Sequence, residues 1–388
     1  MLDRKILWIK VWSIAAVQAS ISLTWVIYNL YFPLLLVELG FDKKLAIALL
    51  IVENALESII EPVFGGLSDR QQKLFGSKIP LISWGMVLAS ISFIGLPCFA
   101  IFKSSGSSFS WLLPILAVVW ASFMAIFRAP TLSLLNRCAT RDRLPQTVSV
   151  LTLVGGIVGA FRFDAYGAIL NLGAGFAFAL GSFSLLLAAF VLRLLNPEKS
   201  IEDRTNNQPT NISKLLLGLI FTLGIWISWS LRFIMPAIAS ILKLQFGEGN
   251  GKLAMTIFLM LLGLAALPAG KIATKFNVSK TMQIGALGTI VALAFLYFFS
   301  QLSLPVLGLV ICFSFILNGI IPLVLNLTPS AKSGLAIGMY FGGFGAGMSS
   351  FDLITYFLQV NTISTNIIGA ILCLLLSYWW LRILKVNK

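Results

Sequence analysis

The sequence predicts an all-α membrane protein of twelve transmembrane helices, arranged as two pseudo-symmetric six-helix bundles with both termini cytoplasmic. Three observations lead there. Of the 388 residues 58% are hydrophobic and 11% charged, with a mean hydropathy of +0.95, far more apolar surface than a water-soluble domain can bury. Apolar runs of about 20 residues, the length that crosses a ~30 Å hydrocarbon core, recur almost end to end. Features of the first half then return in the second half in the same order.

The runs can be taken in turn. The first, 11–37, follows MLDRKILWIK; it is too long for a cleaved leader and no small-residue cleavage site follows, so it reads as a retained span. The second, 45–67, carries Glu53, Glu57 and Glu61 at i, i+4 spacing, then Gly65-Gly66 and Asp69-Arg70. Each step turns the helix by about 40° past a full turn, so the carboxylates form one stripe covering roughly 12 Å of depth. Spans three to six cover 79–101, 111–135, 146–169 and 173–195, with Arg128 in the fourth and Arg162 and Asp164 in the fifth. The long polar stretch NPEKSIEDRTNNQPTNISK reads as a linker, which divides the chain into an N-terminal bundle (1–195), a cytoplasmic linker (196–213) and a C-terminal bundle (214–388). The remaining spans are 215–242, 252–273, 279–300, 303–327, 334–358 and 363–384, with Arg232 in the seventh and Asp352 in the eleventh.

Internal echoes support the cut. Aligning Gly65 with Gly270 places Leu67 on Ile272 and Arg70 on Lys275. Asn29 stands four residues before Pro33, and Arg232 four before Pro236. Gly155-Gly156 followed by Phe163-Asp164 matches Gly342-Gly343 followed by Phe351-Asp352.

With the N-terminus inside, twenty of the 28 Lys and Arg residues fall on the cytoplasmic side and five outside, which fixes the orientation. The net charge of +14 therefore reflects topology and contact with anionic lipid, and no basic-aromatic strip points to nucleic acid. Histidine is absent, which removes His metal sites, Ser-His nucleophiles and His proton relays. Cys98, Cys138, Cys312 and Cys373 lie far apart, so neither a disulfide framework nor a zinc site is indicated. The expectation is a monomeric, cofactor-free, non-enzymatic protein of the cell (inner) membrane.

Particular residues carry a resemblance. G-x-L-x-D-R at Gly65 to Arg70 resembles the signature of the major facilitator superfamily. The longer SDRQQKLFGSKIP, with YFPLLLVELGF in span 1 and FRAPTLSLL in span 4, is similar to the branch of sucrose–proton symporters and glycoside–pentoside–hexuronide transporters. Pigment-delivery proteins of photosynthetic bacteria share a related loop. The chain departs from the family where Asn136-Arg137 stands in place of the usual acidic residue after span 4. The resemblance implies two rocking bundles, a cavity lined by spans 1, 4, 7 and 10, a seam formed by spans 2, 5, 8 and 11, and a gate at Gly65, Asp69 and Arg70.

Ionisable residues inside spans each cost at least ~2.5–3.5 kcal/mol at the bilayer centre, so each needs protein, water or a partner. Counting depth from the span ends pairs Glu61 with Arg128 and Arg232 with Asp352, and puts Glu53 near the upper seam. Glu57 finds no cation at its depth, and desolvation of an unpaired carboxylate favours its protonated form, making it the first candidate for proton coupling. Glu53, Glu61 and Asp352 complete the set of proton-coupling candidates, although a carboxylate stripe holding the halves together is the plainer alternative. Tyr28, Asn29, Arg128, Trp229 and Arg232 are the candidate substrate contacts, with Trp25, Tyr31, Trp226 and Phe233 as further aromatics suited to a sugar face. Trp8, Trp111, Trp379 and Trp380 fit an interfacial belt, and the glycine pairs Gly155/Gly159, Gly338/Gly342 and Gly343/Gly347 fit close helix packing. Together these predict a secondary transporter working by alternating access, a proton-coupled symporter of a small polar solute such as a sugar or glycoside. An exporter or organic-anion carrier, or a pigment-delivery protein, is the alternative.

Overall fold

A computed structural model describes residues 6–98, 108–164, 166–196, 212–358 and 362–386. Lys103 and most of the polar linker (197–211) lie outside the described residues, as does the side chain of Asp164. All longer regular elements among the described residues are helices. We label the spans α1 (Trp8–Glu38), α2 (Lys43–Phe75), α3 (Ile79–Gly95), α4 (Leu112–Ser133, resumed at Leu135–Cys138), α5 (Leu144–Asp164) and α6 (Ala174–Leu195). The second six are α7 (214–246), α8 (248–276), α9 (Val278–Phe298), α10 (Leu304–Leu327), α11 (Ser333–Leu358) and α12 (Ile363–Val386).

Local chemistry sets many of the ends. Asp42 caps α2 by accepting from the Lys44 N–H at 2.8 Å, and Ser213 caps α7 by accepting from Leu216 at 3.1 Å. Pro80 and Pro305 sit in the first turns of α3 and α10, where a missing N–H costs nothing. Gly76 closes α2 in the left-handed region at φ 74°. Prolines inside α1, α2, α4, α7, α8 and α10 (Pro33, Pro62, Pro130, Pro236, Pro268 and Pro322) each remove one N–H from the helical hydrogen-bond ladder.

One boundary differs from expectation. The stretch 243–251, read from sequence as a loop, is helical on both sides of Gly247, whose φ of 81° and ψ of 167° carry the chain from α7 into α8. Only a residue without Cβ takes that conformation cheaply, so a single glycine replaces the loop. Lys243 and Glu248 pair across the turn at 2.5 Å.

Among the described residues eight helical segments are long and apolar enough to cross a membrane, the continuous 214–276 segment among them, and the chain is a multi-pass membrane protein. Its outer surface exposes large apolar side chains such as Trp84, Phe190, Phe298 and Leu304, as lipid contact requires. Within the first six helices α3 packs on α4 and α6, and α1 on α5 and α6; within the second six α9 packs on α10 and α12, and α7 on α11. Two seams join the sets, α2 against α11 and α5 against α8. One end of the molecule gathers the basic helix termini: Leu7 N–H donates to Cys138 O (2.9 Å), Lys78 reaches Ser133 (2.8 Å), and Arg141 reaches Thr328 O (3.1 Å). We call this the basic face.

Candidate functional site

Asp69 ties the two halves at the basic face. It stands on the last turns of α2, where Gly65 lets the α2 backbone touch α11: a Cβ at Gly65 would run into the Gly334 carbonyl. That closeness brings Asp69 onto the start of α11, where Oδ1 accepts from the Gly334 N–H at 3.0 Å and Oδ2 from Leu335 at 2.8 Å. These are unpaired first-turn donors at the positive end of a helix dipole, the setting in which a carboxylate is most stabilised. Lys78, itself buried, donates to Asp69 Oδ1 at 2.6 Å and to Ser133 Oγ at 2.8 Å. Arg70 is exposed and makes none of these bonds. Sequence reasoning grouped Asp69 with Arg70, but the cation at the latch is Lys78. The signal was present in the SDRQQKLFGSKIP stretch, where Lys78 stands at the start of α3, nine residues after Asp69.

The glutamate stripe lies buried along α2. Arg128 of α4 donates through Nε to Glu61 Oε1 at 2.5 Å and through Nη2 to Glu57 Oε2 at 2.7 Å. The expected Glu61–Arg128 pair is therefore present, and the expectation that Glu57 lacks a cation is overturned. The guanidinium is a planar fork, and its two edges reach carboxylates one helical turn apart. Glu53 accepts from the Tyr28 hydroxyl of α1 at 2.5 Å, while Glu53 Oε2 and Glu61 Oε2 are buried without a partner. All of these bonds stay within the first six helices. The stripe thus does not hold the halves together through ion pairs; across the seam α11 meets it through the Phe341 ring, 4.6 Å from the Arg128 guanidinium, and through close approach at Gly338 beside Glu61 and Gly345 beside Glu57.

Arg232 of α7 pairs with Asp352 of α11, as depth counting expected, and this pair lies within the second six helices. Its Nε is buried without a partner. Trp229 donates to Ser350 Oγ at 3.2 Å and packs edge-on against Phe351.

Between the halves lies a cavity of about 560 Å³. Its wall takes residues from α1, α4, α5, α7, α8, α10 and α11, so three seam helices join the four helices expected. Trp25, Asn29 and Arg128 line it, with Gln18, Ser22 and Thr152 as neutral polar groups and Arg162 as a second guanidinium. Tyr28 lies elsewhere: it is 1% exposed, with Phe32 and Trp120 rings 4.6 and 4.5 Å away. Tyr31 donates to the Ile169 carbonyl at 2.6 Å, and Trp229 and Arg232 are not on the wall. Gly155 and Gly159 are not points of closest helix approach: a Cβ at Gly155 would meet Ser22 and Gln18 of α1 only at ordinary contact distance. A Cβ at Gly159 would meet nothing, and both glycines border the cavity, so their missing side chains supply its volume. The packing glycine of α5 is Gly156, against Gly263 of α8. Trp380, assigned to the lipid belt, is half-buried and donates to Leu219 O at 3.1 Å.

Further contacts join the halves on the basic face. Besides the Asp69 latch, Arg141 donates to Thr328 O at 3.1 Å and Asn318 to Pro145 O at 3.2 Å, each between halves. Metal-holding groups of three or more Cys, Asp or Glu ligands are absent among the described residues.

No family model matches the chain, and no curated protein matches it. Solved structures do. A bacterial homologue of the iron transporter ferroportin, in an outward-facing state, superposes with a TM-score of 0.75 at 14% identity, covering 97% of this chain and 99% of that one. The proton:xylose symporter XylE, of the major facilitator superfamily, gives 0.73 at 13% identity over 96% and 94%. The human organic anion transporter MFSD10 gives 0.69 at 12% identity over 97% and 100%. The chain has the major facilitator fold.

Proposed function

We propose that the protein is a secondary transporter that moves a small polar solute across the cell membrane by alternating access, acting as a monomer. The observation that carries this reading is a cavity between two six-helix halves that are tied on the basic face by a carboxylate seated on a helix start. A seam of that kind has two discrete states, latched and released, which is what alternating access needs. The domain division at 196–213 belongs to the same reading, each half moving as a body.

Proton-coupled symport of a sugar or glycoside is the finer reading. It is supported by the fold shared with a proton:xylose symporter, by the resemblance of SDRQQKLFGSKIP to the sucrose and glycoside branch, and by Trp25 beside neutral hydrogen-bonding groups on the wall. Charge counting supports the proton. Glu53, Glu57 and Glu61 share one nearby guanidinium, Arg128, and two uncompensated charges in a dehydrated site are far costlier than protonated carboxyls. Glu57 and the inner oxygen of Glu61 are held by Arg128, which leaves Glu53, hydrogen-bonded to a neutral tyrosine, as the favoured proton carrier.

Uptake into proteoliposomes across a solute panel, with and without an imposed pH gradient, tests both parts. Uptake no greater than in empty liposomes for every solute rejects the transport reading. For coupling, Glu53→Gln should abolish pH-driven accumulation while counterflow of the same solute survives; Glu57→Gln and Glu61→Gln serve as companions. Parent-like accumulation in all three variants places the proton elsewhere.

A further inference from the structure

We infer that Asn318 of α10 is the positioning residue of a second, uncharged latch between the halves on the basic face, and that Thr152 on the cavity wall holds its carboxamide in place. The inference rests on the transport reading for what the latch serves, and on the geometry alone for the latch itself.

Asn318 is 1% exposed, and a carboxamide buried that deeply is costly unless it is hydrogen-bonded. Among the described residues its side-chain bonds both go to the other half. Nδ2 donates to Pro145 O at 3.2 Å, and Oδ1 accepts from Thr152 Oγ1 at 3.4 Å. The Pro145 carbonyl can only accept, which fixes the way the amide faces. Thr152 divides its one proton between Asn318 and Val148 O, the latter at 3.1 Å, and it borders the cavity. One carboxamide therefore reaches from the cavity wall to the start of α5.

The internal repeat explains why this latch carries no charge. Gly65 and Gly270 align in the two halves, and each presses on the second residue of a helix from the other half. A Cβ at Gly65 would meet the Gly334 carbonyl of α11; one at Gly270 would meet the Pro145 carbonyl of α5 at 2.7 Å. Gly334 has an N–H to offer, and Asp69, four residues after Gly65, accepts it. Pro145 has none. Thr274, four residues after Gly270, instead donates back to Gly270 O at 2.9 Å. At this helix start the second residue can be held by its carbonyl, so its partner must be a donor. Asn318 supplies that donor from α10, without the desolvation cost of a second buried cation. A solute acceptor that takes the Thr152 proton removes the support from Asn318 Oδ1, which connects occupancy of the cavity to the hold on Pro145.

The test follows the rate at which a membrane-impermeant maleimide modifies Ser22→Cys, a position on the cavity wall, in the full-length protein. The protein is held in everted membrane vesicles, whose outer surface carries the basic face; rapid labelling of Lys73→Cys, at an exposed position of α2, verifies that orientation. Labelling of the chain's own four cysteines is measured without Ser22→Cys and subtracted. Asn318→Leu should raise the rate about 2- to 10-fold, the loss of one neutral hydrogen bond, and Thr152→Val should raise it less. The double variant Thr152→Val/Asn318→Leu should match Asn318→Leu, because Thr152 acts through Asn318. Ser314→Ala is the control for burial alone: its hydroxyl is fully buried one turn before Asn318 with no partner among the described residues, and its loss should leave the rate unchanged. Asn318→Ala, which removes the same donor, stands in if Asn318→Leu does not insert. A parent-like rate in the Asn318 variants overturns the inference, and so does an equal rise in Ser314→Ala. Effects of Thr152→Val and Asn318→Leu that simply multiply would overturn the role given to Thr152. Raised labelling without proteoliposome uptake of any solute would defeat the transport reading and leave the latch standing; uptake with parent-like labelling in the Asn318 variants would do the reverse.

Discussion

At the seam between α2 and α11 the backbones meet where Gly65 faces Gly334 and where Gly338 faces Glu61; at the seam between α5 and α8 they meet where Gly156 faces Gly263. Both seams use glycine for this, because a Cβ at Gly65, Gly334, Gly338 or Gly156 would come within 3 Å of the opposing backbone, and one at Gly263 within 3.2 Å. The polar content differs. Beside the first seam lie three buried glutamates, Arg128 and the Asp69–Lys78 latch. The second offers a hydroxyl bond, Thr256 to the Ala160 carbonyl at 3.4 Å. Close approach of the halves therefore does not require ions, since α5 and α8 manage it without them. Buried ion pairs are in any case weak stabilisers once desolvation is counted. What the charges add at α2 is a set of contacts that can be made and broken, and one of them, Asp69, crosses between halves.

The largest effect that would test this contrast is Arg128→Gln, which leaves Glu57 and Glu61 buried without a cation. A loss of about 3–5 kcal/mol is expected, read as a fall in unfolding temperature, with partial recovery when Glu61→Gln is added. Unchanged stability would mean that the α2 carboxylates are already neutral. Next comes Asp69→Asn, which keeps the shape and one acceptor but removes the charge facing the α11 start and Lys78. Weakening of the latch by about 1–3 kcal/mol should raise labelling of cysteines introduced near the cavity from the basic face. If labelling stays at the parent level, the latch does not govern access. Gly156→Ala probes the uncharged seam. Its methyl group would press on Gly263, and the cost should lie at the low end of the ~1–3 kcal/mol typical of overpacking, without altering labelling at the basic face. A conformational shift as large as that of Asp69→Asn would erase the distinction between the seams. Smallest of all, Arg70→Ala should change stability by no more than about 0.5 kcal/mol, because its side chain faces solvent. A transport defect matching Asp69→Asn would return Arg70 to the gate.

Much of this could be read from the chain. Span positions follow from the apolar runs, and the pairs Glu61–Arg128 and Arg232–Asp352 follow from depth along helices of known rise. Depth counting failed for Glu57 because it treats arginine as a point, whereas the guanidinium serves two carboxylates at different depths. It does not reach Lys78, which lies just outside a span and whose ammonium extends to Asp69. The aromatic pattern of α1 misled for a different reason. Trp25 and Tyr28 are three residues apart, yet the first borders the cavity while the second is packed beneath Trp120. Periodicity cannot distinguish the helix face turned to the cavity from the face turned to the bundle when both are aromatic. Gly155 and Gly159 posed the same problem, since a small residue serves equally to admit a helix or to leave space.

The turn at Gly247 has a mechanical consequence. The helix that neighbours the cavity through Met235 and the helix that forms the α5 seam through Gly263 are joined by one residue, with Lys243 and Glu248 clipped together across it. Such a joint has almost no slack. It couples the two helices at this end like a short crank, so a displacement of α7 there is passed on to α8. Lengthening it with a few flexible residues would give the linkage backlash, and α7 could then move without carrying α8 along.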